Sequence, residues 1–288
     1  MTGSFRNIIR IGDTSGPEPF EKKILSIGLR PDGFVFSVLD AENFKYLRLE
    51  DYEHSSDDYD DQFLVDLKQF LVDNNLYKAP FKQVHVSLFT PSLLLIPADI
   101  CLENETENTF RFFAGLQEDH LIRSDKLNNL DAYGIYDFHK EIKNFLDESF
   151  DSYRLRHQGN ALIESTLAAT QLENWDADIV LHLKRSIFEV ILLEKGKVSL
   201  YQSFEYRTLD DLLYYLFYVL EQFDKNAAYQ RLLLIGEISV DCKSYQTLAS
   251  LFHKVSFPER NDAFQYAGVF DQIPGQYYYN LLNLVTCG

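Results

Sequence analysis

Asp178-Ile179-Val180-Leu181-His182-Leu183, Lys184-Arg185-Ser186, Ile187-Phe188-Glu189-Val190-Ile191-Leu192-Leu193, Glu194-Lys195-Gly196-Lys197 and Val198–Phe204 follow one another without a break. The first, third and fifth pieces are rich in the branched and aromatic residues that suit a pleated surface, so they read as strands. The two short polar pieces between them read as tight turns, and Gly196 stands where a hairpin needs positive φ. Thr208 then caps a helix, with Asp211 three positions on in a carboxylate form of the capping box. That helix runs to about Gln222 and is apolar nearly all round, which predicts burial on every side. Arg231–Ile235 reads as a fourth strand ending at Gly236.

The first half of the chain carries the same order. Ile24–Gly28 reads as a strand, Pro31-Asp32-Gly33 as a turn, Phe34–Leu39 as a second strand and Asp40–Asn43 as a second turn. Phe44–Leu49 makes a third strand. Phe63, Leu64, Leu67, Phe70 and Leu71 recur at helical spacing, predicting a helix over 59–74. Gln83–Phe89 is the fourth strand, with Leu93–Ile96 extending the sheet. Ser26 aligns with His182, Leu39 with Leu193, Phe44 with Val198 and Val86 with Ile235 at near-constant offsets. The reading is a duplicated βββαβ unit in an α/β protein; two unrelated domains of similar order is the alternative. Residues 1–22, with Gly3, Gly12, Gly16, Pro17 and Pro19, read as an irregular lead-in, 23–176 as the first lobe and 177–288 as the second. Within 97–176 the pattern predicts helices over 103–113, 139–150 and 160–172 and strands over 121–124 and 132–138. The tail holds a short strand, a loop with Gly268, Pro274 and Gly275, and a final helix through Tyr277 and Leu284.

This order resembles the actin, sugar kinase and Hsp70 (ASKHA) superfamily, whose halves are each RNase-H-like. It is similar in particular to the PilM-like and GspL-like branch, and more specifically to a small bacterial family of uncharacterised proteins with an actin-like ATPase fold. The resemblance implies three nucleotide-handling motifs. The first phosphate loop, Asp-x-Gly, falls on Ser26-Ile27-Gly28, so its acid is lost. The second, Asp-x-Gly-Gly, falls on His182-Leu183-Lys184-Arg185-Ser186, with bulky side chains where glycines let backbone N–H groups approach phosphate. The adenosine motif, a strand followed by Gly-Gly, falls on Leu233-Leu234-Ile235-Gly236-Glu237. The degenerate cleft positions are therefore Ser26, Gly28, Arg30, His182, Lys184, Arg185, Gly236 and Glu237. The expectation is a pseudo-ATPase without cofactor or catalytic residues, kept as a scaffold that holds another protein. A divergent nucleotide-dependent kinase or ATPase is the alternative.

Composition narrows the partners. The chain has 288 residues and a net charge of −17, from 44 acidic against 27 basic residues. Nucleic-acid affinity rests on Lys and Arg at phosphates, so nucleic acid is not an expected partner, nor is an anionic membrane surface. Cys101, Cys242 and Cys287 are far apart, which speaks against disulfides and structural zinc. The longest apolar run, Leu212–Leu220, is far short of the ~20 residues that span a bilayer, and residues 1–10 lack a signal-like apolar run; a cytoplasmic protein is expected. Seven acids crowd the stretch 50–61, read as a solvated loop that holds no metal. GxxxxGK[ST], GxSxG, HExxH and GxGxxG patterns do not occur. Tyr277-Tyr278-Tyr279 cannot all face one way on a helix, so at least one ring is expected at the surface; ordinary exposure is one reading of it and a partner surface the alternative.

Overall fold

The structure is a computed structural model that describes residues 5–12, 19–55, 58–101, 105–172 and 177–287. In chain order the first part is built from β1 (Phe5–Gly12), β2 (Lys23–Arg30), β3 (Gly33–Asp40), β4 (Lys45–His54), α1 (Asp61–Asp73) and β5 (Gln83–Leu88). There follow β6 (Leu93–Pro97), α2 (Thr106–Phe113), β7 (His120–Leu127), β8 (Ala132–His139), α3 (Lys140–Ser149), β9 (Arg154–His157) and α4 (Gln158–Leu172). The second part has β10 (Ile179–Leu183), β11 (Ile187–Glu194), β12 (Lys197–Glu205), α5 (Leu209–Gln222), β13 (Arg231–Gly236), α6 (Lys243–Leu251), β14 (Lys254–Ser256), β15 (Gln265–Tyr266) and α7 (Tyr279–Asn283).

The duplication holds in the topology. The first sheet runs β1-β4-β3-β2-β5-β9 and the second β12-β11-β10-β13-β14. In each, three antiparallel strands are joined by tight turns, a helix crosses over, and the fourth strand lies parallel to the first. Strand alternation then sorts the side chains. Leu25, Ile27 and Leu29 of β2 join Phe63, Leu67 and Leu71 of α1 in one core, and Ile179, Leu181 and Leu183 of β10 join Leu212 and Leu216 of α5 in the matching one. The opposite faces of the two sheets look toward each other. Between them lie α4, whose Leu162, Ile163 and Leu167 pack on β10, β11 and β13, and α7, whose Leu281 and Leu282 pack on Val35 and Leu39 of β3.

Several expectations are corrected. Residues 5–12 are not irregular but form β1, paired with β4 through a register shift between Asn7 and Ile9 that hides the two-residue period. The acidic stretch is not all loop: β4 runs on to His54 and takes Glu50 and Asp51 inside, at 0% and 3% exposure. Glu50 is held there by Arg48 Nε at 2.6 Å, Arg10 Nε at 3.2 Å and the Tyr52 hydroxyl. Asp58 and Asp60 are exposed, and Asp60 caps α1 by accepting from Phe63 N at 2.7 Å, while Asp57 lies outside the described residues. Leu93–Pro97 does not extend the first sheet but edges a separate one, β6-β8-β7. Helix α5 is not covered all round: Tyr214 and Tyr218 are exposed. The tyrosine run gives no exposed ring, since Tyr278 and Tyr279 are buried and Tyr277 is half-buried. The tail returns to the first sheet, where β15 pairs with β4 and Tyr46 Oη donates to the Leu282 carbonyl at 2.5 Å.

Candidate functional site

The two sheets bring their inner strand ends together at one place. Alternation along β2 puts Ser26, Gly28 and Arg30 on the inner face, and along β10 and the turn after it His182 and Lys184. Gly28, Arg30, His182, Lys184, Gly236 and Glu237 line a common cavity, and Arg30, Lys184, Arg185 and Glu237 line a second beside it. Ser26 is not part of either lining. It is 1% exposed, opposite Ser37 and His85 in the sheet, and its hydroxyl has no hydrogen-bond partner.

What fills this place is protein. Arg30 Nε meets Asp32 at 2.8 Å and its Nη2 meets Asp51 at 2.7 Å, while the Tyr278 hydroxyl donates to Asp51 Oδ2 at 2.9 Å. Burial opposes the charge on Arg30, but Asp51 and Asp32 more than offset it and hold the guanidinium firmly protonated. On the other side Glu189 is fully buried. His182 Nδ1 lies 2.7 Å from its Oε2, the Gln158 amide donates to the same oxygen at 2.5 Å, and the Tyr201 hydroxyl donates to Oε1 at 2.7 Å. Lys184 donates to the Gln158 side-chain oxygen, so the amide of Gln158 bridges cation and anion. Burial works against ionisation of Glu189, yet the hydrogen bond from His182, the charge of Lys184 and the Tyr201 hydroxyl hold its carboxyl at about 2. Burial pushes both His182 and Lys184 down from their ordinary values. Arg185 reaches across to form an ion pair with Glu53 of β4.

The surviving glycines serve this packing. A Cβ on Gly28 would stand 3.1 Å from Val35 Cγ1 of β3 and 3.7 Å from Leu281 Cδ1 of α7, so the side chains of both elements pack close to this backbone. Gly236 has φ +93°, and a side chain there would run into the Leu183 carbonyl. The cavity that remains is about 40 Å³ and its neighbour about 30 Å³, whereas small-molecule pockets run to roughly 300–1,000 Å³. Among the described residues no three His, Cys, Asp or Glu side chains gather as metal ligands.

Sequence reasoning missed Glu189, Gln158, Asp51, Tyr201 and Tyr278. Glu189 did leave a signal: it is the one charge inside the apolar run Ile187–Leu193. Gln158 and Tyr278 carry none, because only the fold brings them to the cleft.

The architecture is the actin-like ATPase fold. A Bacteroides thetaiotaomicron protein with an actin-like ATPase fold and unknown function superposes with a TM-score of 0.72 at 22% identity, over 95% of this chain and 100% of that one. The PilM–PilN type IV pilus biogenesis complex matches with a TM-score of 0.57 at 10% identity, over 91% and 97% of the two chains. The cytoplasmic domain of EpsL, an inner membrane component of the Vibrio cholerae type II secretion system, matches with a TM-score of 0.48 at 12% identity, over 92% and 96%. The model of a protein family of unknown function, DUF3822, matches residues 15–255, and the chain belongs to that family. No curated protein matches it in sequence. No helix among the described residues is long and apolar enough to cross a membrane.

Proposed function

We propose that this chain is a pseudo-ATPase: an actin-like body that has given up nucleotide chemistry and serves as a cytoplasmic module for holding a partner protein. The observation that carries the reading is the filled cleft. Leu281 sits over Gly28, and the Lys184–Gln158–Glu189–His182 network uses its own charges where phosphates and their metal would be handled. Phosphoryl transfer needs a carboxylate near the metal and donors aimed at the phosphates. Here the matching position is Ser26, buried under the sheet face, and the second loop offers Leu183, Lys184 and Arg185. The precedent of PilM in complex with PilN supports a partner-holding use of such a body. Residues 23–176 and 177–288 are the two lobes of the proposal, the second lending its tail to the first. The acidic surface supports a protein partner over nucleic acid.

The test is a calorimetric titration of magnesium–ATP and magnesium–ADP into wild type and Ser26→Asp. Neither protein is expected to give a binding heat, because restoring the acid does not move α7 off Gly28. Micromolar binding by the wild type refutes the proposal.

A further inference from the structure

A helix lying on a sheet ordinarily turns polar side chains to solvent. Helix α5 does not. Leu212, Leu216, Val219 and Leu220 are buried against the second sheet. Directly opposite, at helical spacing, stand Asp210, Tyr214, Phe217, Tyr218 and Glu221, all exposed, with Tyr214 at 67%, Phe217 at 38% and Tyr218 at 51%. Folding does not require these rings: the inner leucines supply the burial, and the Thr208–Asp211 capping box starts the helix. One exposed apolar side chain is ordinary. Three aromatic ones on adjoining turns make a contiguous patch, and aromatic residues are the type enriched at interface hot spots.

The charges at the two ends of the patch select what covers it. Its five positions include two acids and no Lys or Arg. A second copy laid antiparallel would set Asp210 against Glu221, and a parallel one would set each acid against itself; like charges across an interface are unfavourable either way. An anionic bilayer meets the same repulsion. A helix with an apolar stripe bracketed by bases meets both requirements. Glu221 follows Asp210 by 11 residues, about 16 Å at the helical rise, so the matching bases lie roughly three turns apart. We propose that the outer face of α5 docks a basic amphipathic helix of a partner protein. The partner's apolar stripe lies on Tyr214, Phe217 and Tyr218, and its Lys or Arg residues meet Asp210 and Glu221. This assignment rests on the reading of the chain as an interaction module and places the contact on the second lobe, away from the cleft.

The probe is a fluorescein-labelled synthetic helix of four turns with leucines at three- and four-residue spacing and lysines at both ends, together with a twin carrying glutamates at those ends. Anisotropy is followed on the full chain. The lysine-ended helix is expected to bind at least tenfold more tightly than its twin, and Phe217→Ser with Tyr218→Ser to weaken it at least tenfold. Asp210→Lys with Glu221→Lys is expected to reverse the preference. Circular dichroism melting of each variant shows that the fold is kept, since all four positions are exposed. Equal binding of both helices, binding of neither, or an unchanged preference in the charge-reversed variant overturns the proposal. So does a dimer in sedimentation that Phe217→Ser dissolves, or binding to phosphatidylserine vesicles. The magnesium–ATP titration keeps the two ideas apart. Nucleotide binding with the helix preference intact removes only the pseudo-ATPase reading, and loss of the preference without nucleotide binding removes only the docking face.

Discussion

Replacing Glu189 by glutamine should cost this protein a large share of its stability while leaving its surface unchanged. The carboxylate is fully buried and accepts from Gln158 and Tyr201, with His182 Nδ1 at 2.7 Å from the same group. A glutamine amide keeps the volume but turns one acceptor oxygen into a donor, facing donors. It also leaves the half-buried Lys184 without its counter-charge. The size of the effect follows from the carboxyl's displacement. Its folded value is about 2 against an ordinary 4.5, and at 1.36 kcal/mol for each unit that corresponds to about 3 kcal/mol. Removing one member of a buried charged arrangement typically costs about 3–5 kcal/mol, which agrees. The sign is fixed by the direction of displacement. A depressed carboxyl contributes its stability above the unfolded value of 4.5, and the contribution fades as pH falls from there toward about 2. More than about 1 kcal/mol should already be gone at pH 3.5. Urea unfolding of wild type and Glu189→Gln at pH 7, 5, 4 and 3.5 measures this. The gap between the two proteins should be flat above pH 5 and narrow below 4.5. A gap under 0.5 kcal/mol at pH 7 on the scale set by ordinary surface changes, or one independent of pH, would refute the reasoning about the network.

Gly236→Ala should destabilise by about 1–3 kcal/mol, because φ of +93° is unfavourable to a side chain and the Leu183 carbonyl blocks its Cβ; thermal melting checks it, and an unchanged midpoint would mean that β13 ends differently. Leu281→Ala should cost about 2–5 kcal/mol through the cavity it leaves over Gly28, read by urea unfolding. Tyr278→Phe should cost about 1.5–3 kcal/mol by removing the hydroxyl that donates to the ionised Asp51, again read by urea unfolding. Asp60→Ala should cost about 1 kcal/mol by uncapping α1, and a loss above about 2 kcal/mol would point to a further role for that acid.

The four repeated strands and the crossing helix of each sheet were legible because each element needed only its own period to announce itself. Ile24–Gly28 and Ile179–Leu183 each lie between a covering helix and the cleft, so their apolar character survives in any window. Elements whose stability comes from a distant neighbour were not legible. Phe5–Gly12 is an edge strand whose register shift places Ile8 and Ile9 side by side, breaking alternation. Glu50 looked like the start of a solvated loop because Arg10 and Arg48, which neutralise it, reach it only through the sheet. The outer rings of α5 misled for another reason: an all-round apolar helix signals burial, and here one of its two apolar faces has no covering element among the described residues.

The same distinction separates the motif reading of the site from its physics. Local comparison of Ser26-Ile27-Gly28 and His182–Ser186 with phosphate loops identifies lost groups, but loss alone does not close a cleft. On the proposed reading the closure comes from residues distant in sequence, more than two hundred positions for Leu281 and Tyr278 and about thirty for Gln158. Leu281 lies on Gly28, Tyr278 satisfies Asp51, and Gln158 joins Lys184 to Glu189. Each buried charge in the cleft has a protein partner, and leaving such a charge unpaired is costly. If the pseudo-ATPase proposal holds, admitting a nucleotide would require displacing α7 and uncoupling the Glu189 network together, not restoring one acid. A fold can keep its shape after its site is gone because its two sheets are stabilised by their own cores. On the proposed reading the cleft adds to that stability, where a catalytic site would hold charges in readiness for a substrate.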